Sequence, residues 1–186
     1  MRKIVLFTIV ILTAFSVLAS GCTKTTDWRA EYINYINNEI PEKDINGDEI
    51  IFSLIKLDDD DIPELLYSGS SPINTNLVWI NDGEINRQFV GNSGFWYYEN
   101  EGDCYATYFN HGIGRDLVYK FNKGKLKTVF EGYIDCTKID ITYHIGDEVV
   151  EYQKYQSKLK KKFDSDNAVS PKEYKGKTKI LNAINK

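Results

Sequence analysis

The chain has 186 residues, of which 27% are charged and 13% aromatic, and its formal net charge is −4 at pH 7. That balance argues against general nucleic-acid binding, which needs a basic surface, and the length suits one domain with a real core. No G-x-S-x-G elbow, P-loop or H-E-x-x-H is present, and the two histidines and three cysteines lack the spacing of a zinc site.

The first segment reads "MRKIVLFTIVILTAFSVLASGC". Arg2 and Lys3 precede an uncharged apolar run from Ile4 to Val17, and the small residues Ala19, Ser20 and Gly21 lead into Cys22. Basic, apolar and small residues in that order predict a secretory signal, and the run is too short for a spanning helix of about 20 apolar residues. "LASGC" resembles the lipobox of bacterial lipoproteins, with Ala19 where leucine is commonest. The resemblance implies a signal peptide over 1–21 and a diacylglyceryl group on Cys22, which becomes the mature N-terminus. Two acyl chains, at about 0.8 kcal/mol per buried CH₂, suffice for a stable bilayer anchor. Without Arg2 and Lys3, residues 22–186 carry a net charge of −6. The tether over 22–27 is short: five extended residues reach about 17 Å, so the domain over 28–186 is expected close to the membrane.

"DWRAEYINYINNEIP" repeats Trp28, Tyr32, Ile36 and Ile40 every four residues, which predicts a helix over 28–39 with Thr26 or Asp27 as cap and Pro41 beyond its end. The polar turn "DINGDE" follows. Its Asp44, Asn46 and Asp48 alternate as calcium ligands do, but Glu49 stands where the loop needs glycine.

Two strands are then predicted, "EIIFSLIKL" and "ELLYSGS", with Asp58, Asp59, Asp60 and Asp61 between them. Set in the D-x-[DN]-x-[DN]-G frame of helical calcium loops, Asp58, Asp60 and Glu64 fall on ligand positions. Lys56 takes the first ligand position, Asp61 replaces the glycine, and Tyr67 stands in place of the closing glutamate. The candidate cofactor is therefore Ca²⁺ held by Asp58, Asp60 and Glu64. The competing reading is a solvated acidic turn whose charges discourage edge pairing. "SLIKLDDDDIPELLY" resembles the D-x-D-x-D-G-x-P-E-L element of small Gram-positive lipoproteins and of FG-GAP-like repeats. That likeness covers about fifteen residues; it implies strand, acidic turn and strand, and no catalysis.

"NDG" at 81–83, "NEG" at 100–102 and "NKG" at 122–124 each stand between apolar runs. They predict three successive hairpins closed by three-residue turns with a bulge, forming an antiparallel meander. The aromatics of 93–116, Trp96, Tyr98, Tyr105 and Tyr108 among them, are expected to pack in strands, with exposed stacking as the alternative. "NHGIGRD" reads as a glycine-hinged loop joining hairpins, with His111, Arg115 and Asp116 as a mixed polar group. Cys104 and Cys136 form an even pair in an exported chain, so a disulfide between them is one expectation and two buried thiols the other.

"VEYQKYQSKLKKKF" places Tyr152, Tyr155, Leu159 and Phe163 on one helical face and lysines on the other. Ser170-Pro171 is expected to start a helical turn and "KTKILNAINK" to end the chain as a short helix. Residues 151–186 hold ten lysines against four acids. Lys158, Lys160, Lys161 and Lys162, joined by Lys172, Lys175, Lys177 and Lys179, are candidates for contact with anionic lipid head groups or wall polymers.

The expected fold is α+β: an N-terminal helix, an antiparallel meander of hairpins and a C-terminal amphipathic helix. The expected role is that of a membrane-anchored extracytoplasmic lipoprotein, a non-enzymatic binding module with a protein partner of unspecified identity. A calcium-stabilised structural module and an envelope hydrolase are the rival readings.

Overall fold

The computed structural model describes residues 27–70 and 74–186. The signal peptide, Cys22 and all of the tether before Asp27 lie outside the described residues. Among those described, no helix is long and apolar enough to cross a membrane.

Helix α1, Trp28–Glu39, starts where Asp27 caps it: the carboxylate accepts the amide N–H of Arg29 at 3.1 Å. Tyr32 and Ile36 of the predicted stripe are fully buried, and Ile40 is buried just beyond the last turn. Strands β1 (Ile51–Ile55) and β2 (Glu64–Gly69) pair antiparallel across the acidic turn, with Ile55 opposite Glu64. Eight further strands follow in the sequence: β3 (Asn74–Asn81), β4 (Glu84–Gly91), β5 (Gly94–Tyr97), β6 (Asp103–Asn110), β7 (Ile113–Asn122), β8 (Lys125–Asp135), β9 (Thr142–Ile145) and β10 (Glu148–Val150).

The turns differ from expectation in type. Asp82-Gly83 and Lys123-Gly124 are two-residue turns, with Asn81 opposite Glu84 and Asn122 opposite Lys125. Both central residues have positive φ, 52° and 79° in the first and 50° and 67° in the second. That is the pattern of a type I′ turn, whose twist matches the strands it joins. The bulges sit inside strands instead, at Thr75/Asn76 and Val118/Tyr119. "NHG" proves to be another such turn: His111 (φ 49°) and Gly112 (φ 81°) close β6 onto β7, with Asn110 opposite Ile113. The stretch read as a loop between hairpins is itself a hairpin.

The meander is present but divided. Between β4 and β5 the chain leaves one sheet for another; with the two-residue strand β11 (Tyr174–Lys175) the strand orders are β11-β1-β2-β3-β4 and β10-β9-β8-β7-β6-β5. In the first sheet β11 returns beside β1. No helical turn starts at Ser170-Pro171. Val169 instead forms a bridge with Tyr97, after a single 3₁₀ turn over Ser165–Asn167, and the chain runs extended into β11. Helices α2 (Tyr152–Lys160) and α3 (Lys177–Ile184) complete the fold.

Alternation along the strands stacks these pieces in four layers. Phe52, Leu65, Tyr67 and Val78 pack against Tyr32, Ile36, Ile180 and Ile184 of α1 and α3. From the other face of the same strands, Ile55, Leu66, Leu77 and Trp79 meet Phe95, Tyr97, Cys104, Tyr119 and Phe121 of the second sheet. The outer face of that sheet carries Val118 and Phe130, on which Phe163 and Leu159 close. The fit of α2 is tight at Gly132, where any Cβ would collide with the hydroxyl and ring of Tyr155. Gly132→Ala is therefore expected to cost about 2 kcal/mol, read as a lower urea midpoint at unchanged slope.

Candidate functional site

The acidic turn uses its carboxylates to hold itself together. Asp58 accepts the amide N–H of Asp60 at 3.4 Å, and Asp60 accepts that of Ile62 at 2.7 Å. Glu64 points inward: at 3% exposure it accepts the amide N–H of Leu57 at 2.8 Å. Burial, then the nearby charge of Asp58, pushes its carboxyl up to about 8. Asp58 is also raised, by partial burial and by Asp60. The turn joins the two sheets as well, because the amides of Asn100 and Gly102 donate to the carbonyls of Lys56 and Leu57 at 2.9 and 2.5 Å. Among the described residues, no group of three or more His, Cys, Asp or Glu side chains is arranged to hold a metal.

In the turn over 44–49, Asp44 is likewise engaged. Its Oδ1 accepts the amides of Asn46 and Asp48, and its Oδ2 that of Ser70. These bonds hold the carboxyl down to about 2.

Among the described residues Cys104 and Cys136 are free, so of the two alternatives the disulfide is not formed. Cys104 is buried on β6 opposite Tyr119, and Tyr119 faces Thr128. Cys136 lies eight residues further along and is exposed. At about 3.3 Å per residue that is far beyond the ~7 Å that a disulfide spans.

The basic C-terminal segment is not one patch. Lys158, Lys160, Lys161 and Lys162 are exposed at the α2 layer, while Lys179 lies on α3 at the opposite side of the stack. Lys160 is paired with Asp164 at 3.4 Å and Asp166 at 2.9 Å. Lys177 is buried at 8% exposure, donates to the Asn37 carbonyl and sits 3.7 Å from Glu42, so it serves the fold and no surface.

His111, Arg115 and Asp116 diverge. His111 is exposed in its turn, Arg115 pairs with Glu131 at 3.1 Å, and Asp116 faces away from Arg115 on β7. Each carboxylate oxygen of Asp116 accepts a tyrosine hydroxyl at 2.5 Å, one from Tyr105 and one from Tyr155. The predicted aromatics pack beneath α2: Trp96 stacks on Tyr105 at 5.3 Å and Tyr98 on Phe163 at 4.6 Å. Tyr108 meets Phe89 edge-on at 5.8 Å.

One sizeable concavity was not anticipated. At the end of the sheets away from the acidic turn, a cleft of about 970 Å³ opens between them. Nearer the turn the facing positions hold Leu66, Leu77 and Trp79; at the cleft the same faces carry Ser53, Ser68 and Thr75. Small hydroxylated residues cannot fill the gap, so the sheets part. Phe95 lines it from the inner face of β5 and Trp96 borders it at the edge of that strand, while Asp48, Glu49, Glu173 and Lys175 stand at the rim. A serine in a strand pattern carries little signal by itself. Only its register with other small residues on neighbouring strands reveals such a floor.

Comparison with protein-family models, with curated proteins and with solved structures gives no match.

Proposed function

We propose that this protein is a membrane-anchored extracytoplasmic lipoprotein acting as a non-enzymatic binding module, with the cleft between the sheets as its binding site. The observation that carries this reading is that the cleft and the entry to α1 lie at opposite ends of the domain. β1 runs from Ile51, at the cleft, to Ile55, at the acidic turn. The start of α1 is on the acidic-turn side, where Tyr32 donates to the Val78 carbonyl and Arg29 to that of Ile184. Its end reaches the cleft side, where Asn37 receives Lys177, next to Gly176 and the rim residue Glu49. Twelve helical residues span about 18 Å. A lipid on Cys22, a few residues before α1, would put the bilayer on the acidic-turn side and leave the cleft facing outward.

Lys158, Lys161 and Lys162 suit the same orientation. The α2 end of the chain reaches Phe163, which stacks on Tyr98, close to Asn100 and the acidic turn. These lysines would then meet anionic head groups or wall polymers, each adding about 1 kcal/mol before screening. The hydrolase reading has no comparable support, since Asp116 accepts two tyrosine hydroxyls and His111 stands exposed in a turn apart from it.

Labelled palmitate fed to cells expressing the full chain tests the anchor. Incorporation is expected into the wild type and not into Cys22→Ser, and the wild type should be cleaved by protease added to intact cells. An unlabelled, protease-resistant chain would defeat the proposal.

A further inference from the structure

The next inference rests on the cleft being the binding site. We infer that its ligand is a saccharide, uncharged or carrying amino groups, held by a row of hydroxyls on three adjacent strands. Ser68 and Thr75 are direct partners across β2 and β3, and Ser53 on β1 lies diagonally from Ser68. Neighbouring strands are about 4.8 Å apart and paired Cβ atoms about 5 Å, so the three oxygens form a short ladder rather than a point.

Ser53 and Thr75 are 3% and 7% exposed, yet neither hydroxyl, nor that of Ser68, has a hydrogen-bond partner among the described residues. No side-chain oxygen or nitrogen described is both sealed from solvent and unbonded, so these hydroxyls open into the cleft. Water solvates these hydroxyls in the open cleft, and a ligand that displaces it must supply hydrogen bonds in its place.

The chemistry of the floor selects the ligand. A hydroxyl both donates and accepts, whereas a carboxylate only accepts and an ammonium only donates. Three hydroxyls in a row therefore complement a molecule whose own groups also do both, which is the property of a sugar. Phe95, on the inner face of β5, adds an apolar wall for its C–H surface, and Trp96 borders the cleft from the other face of that strand. The rim sets the charge: Asp44, Asp48, Glu49 and Glu173 against Lys175 repel phosphorylated or carboxylated polymers and tolerate amines. The volume of about 970 Å³ falls within the range of ligand pockets.

The test uses the ¹⁵N-labelled full chain in detergent micelles, titrated with tetrasaccharides of glucose and of N-acetylglucosamine, with spermine, and with tripolyphosphate. A tetrasaccharide is expected to shift the amide signals of Ser53, Ser68, Thr75 and Trp96, and tripolyphosphate to leave them unmoved. Ser68→Ala/Thr75→Val should bind that sugar about tenfold more weakly, and Ser68→Ala alone serves if the double variant fails to fold. Sugar binding unchanged in these variants overturns the inference. Should spermine or tripolyphosphate alone move the cleft signals, the saccharide class is wrong while the cleft stands as a binding site. If no probe moves them, both the saccharide and the cleft reading fall.

Discussion

Asp116→Ala is expected to lower the stability of the fold by about 3–5 kcal/mol, the largest effect of any single substitution considered. Asp116 is 8% exposed on β7, and its two oxygens each accept a tyrosine hydroxyl at 2.5 Å. One donor comes from Tyr105 in the neighbouring strand and the other from Tyr155 in α2, so the carboxylate ties helix to sheet. Hydrogen bonds to a charged acceptor are worth about 1.5–3 kcal/mol each, and a buried hydroxyl left unpaired costs about 1–3 kcal/mol. Tyr155 is fully buried and has no route to bulk water as a substitute. Burial first, then the bond to Asp116, pushes both phenols far above the ordinary tyrosine range. Asp116→Asn keeps one acceptor oxygen and should cost less, about 1–2 kcal/mol. Urea unfolding of Asp116→Ala, Tyr155→Phe and the double variant would show coupling, because the second change removes the donor that the first leaves stranded. Additive losses, or a loss under 1 kcal/mol for Asp116→Ala, would mean that this contact does not hold α2 in place.

The second large effect is a dependence on pH set by Glu64. Its folded carboxyl is raised to about 8 from an ordinary 4.5, chiefly by burial. Between those two values the unfolded chain has released the proton that the folded chain still holds. Stability must therefore fall as pH rises from about 4.5 to about 8 and level off above that. The full shift corresponds to about 3–5 kcal/mol. Glu64→Gln carries no proton to lose, so its stability should be flat in this window and exceed that of the wild type at pH 8. Denaturant unfolding at half-unit steps of pH, for both proteins, measures the difference. Repeating the series in millimolar calcium separates the readings of the acidic turn. An ion on Asp58, Asp60 and Glu64 would favour the ionised carboxyl and abolish the decline, whereas an unchanged decline leaves the turn held by its own amides.

Local chemistry made much of this fold readable. The four-residue repeat from Trp28 to Ile40 marks α1, because each residue fourth along a helix returns to the same face. Asparagine followed by a glycine two residues later, between apolar runs, marks the hairpins, although the turns at 82–83 and 123–124 proved one residue tighter than expected and that at 100–102 longer. Tyr155 and Leu159 of α2 and Phe163 just beyond it were legible as a packed face, while Tyr152 of the same stripe is half exposed beside Tyr143. The return of β11 to β1 was not legible, since a two-residue strand has no periodicity and its partner is more than a hundred residues away. The division of the meander was hidden for a similar reason: strands in one sheet and strands in two show the same alternation.

What the sequence determined alone is the order and kind of most elements up to α2, because periodicity, caps and turn residues act over a few positions. It also supplied the asymmetry of charge and the acidic run. Tertiary structure decided which charges matter. It turned Glu64 inward, spent Asp116 on two tyrosines, buried Lys177 and set the lysines of α2 and α3 on opposite sides. It also placed Ser53, Ser68 and Thr75 side by side. Each outcome depends on which strands become neighbours, and that is fixed by packing two sheets and three helices together rather than by any short stretch of chain.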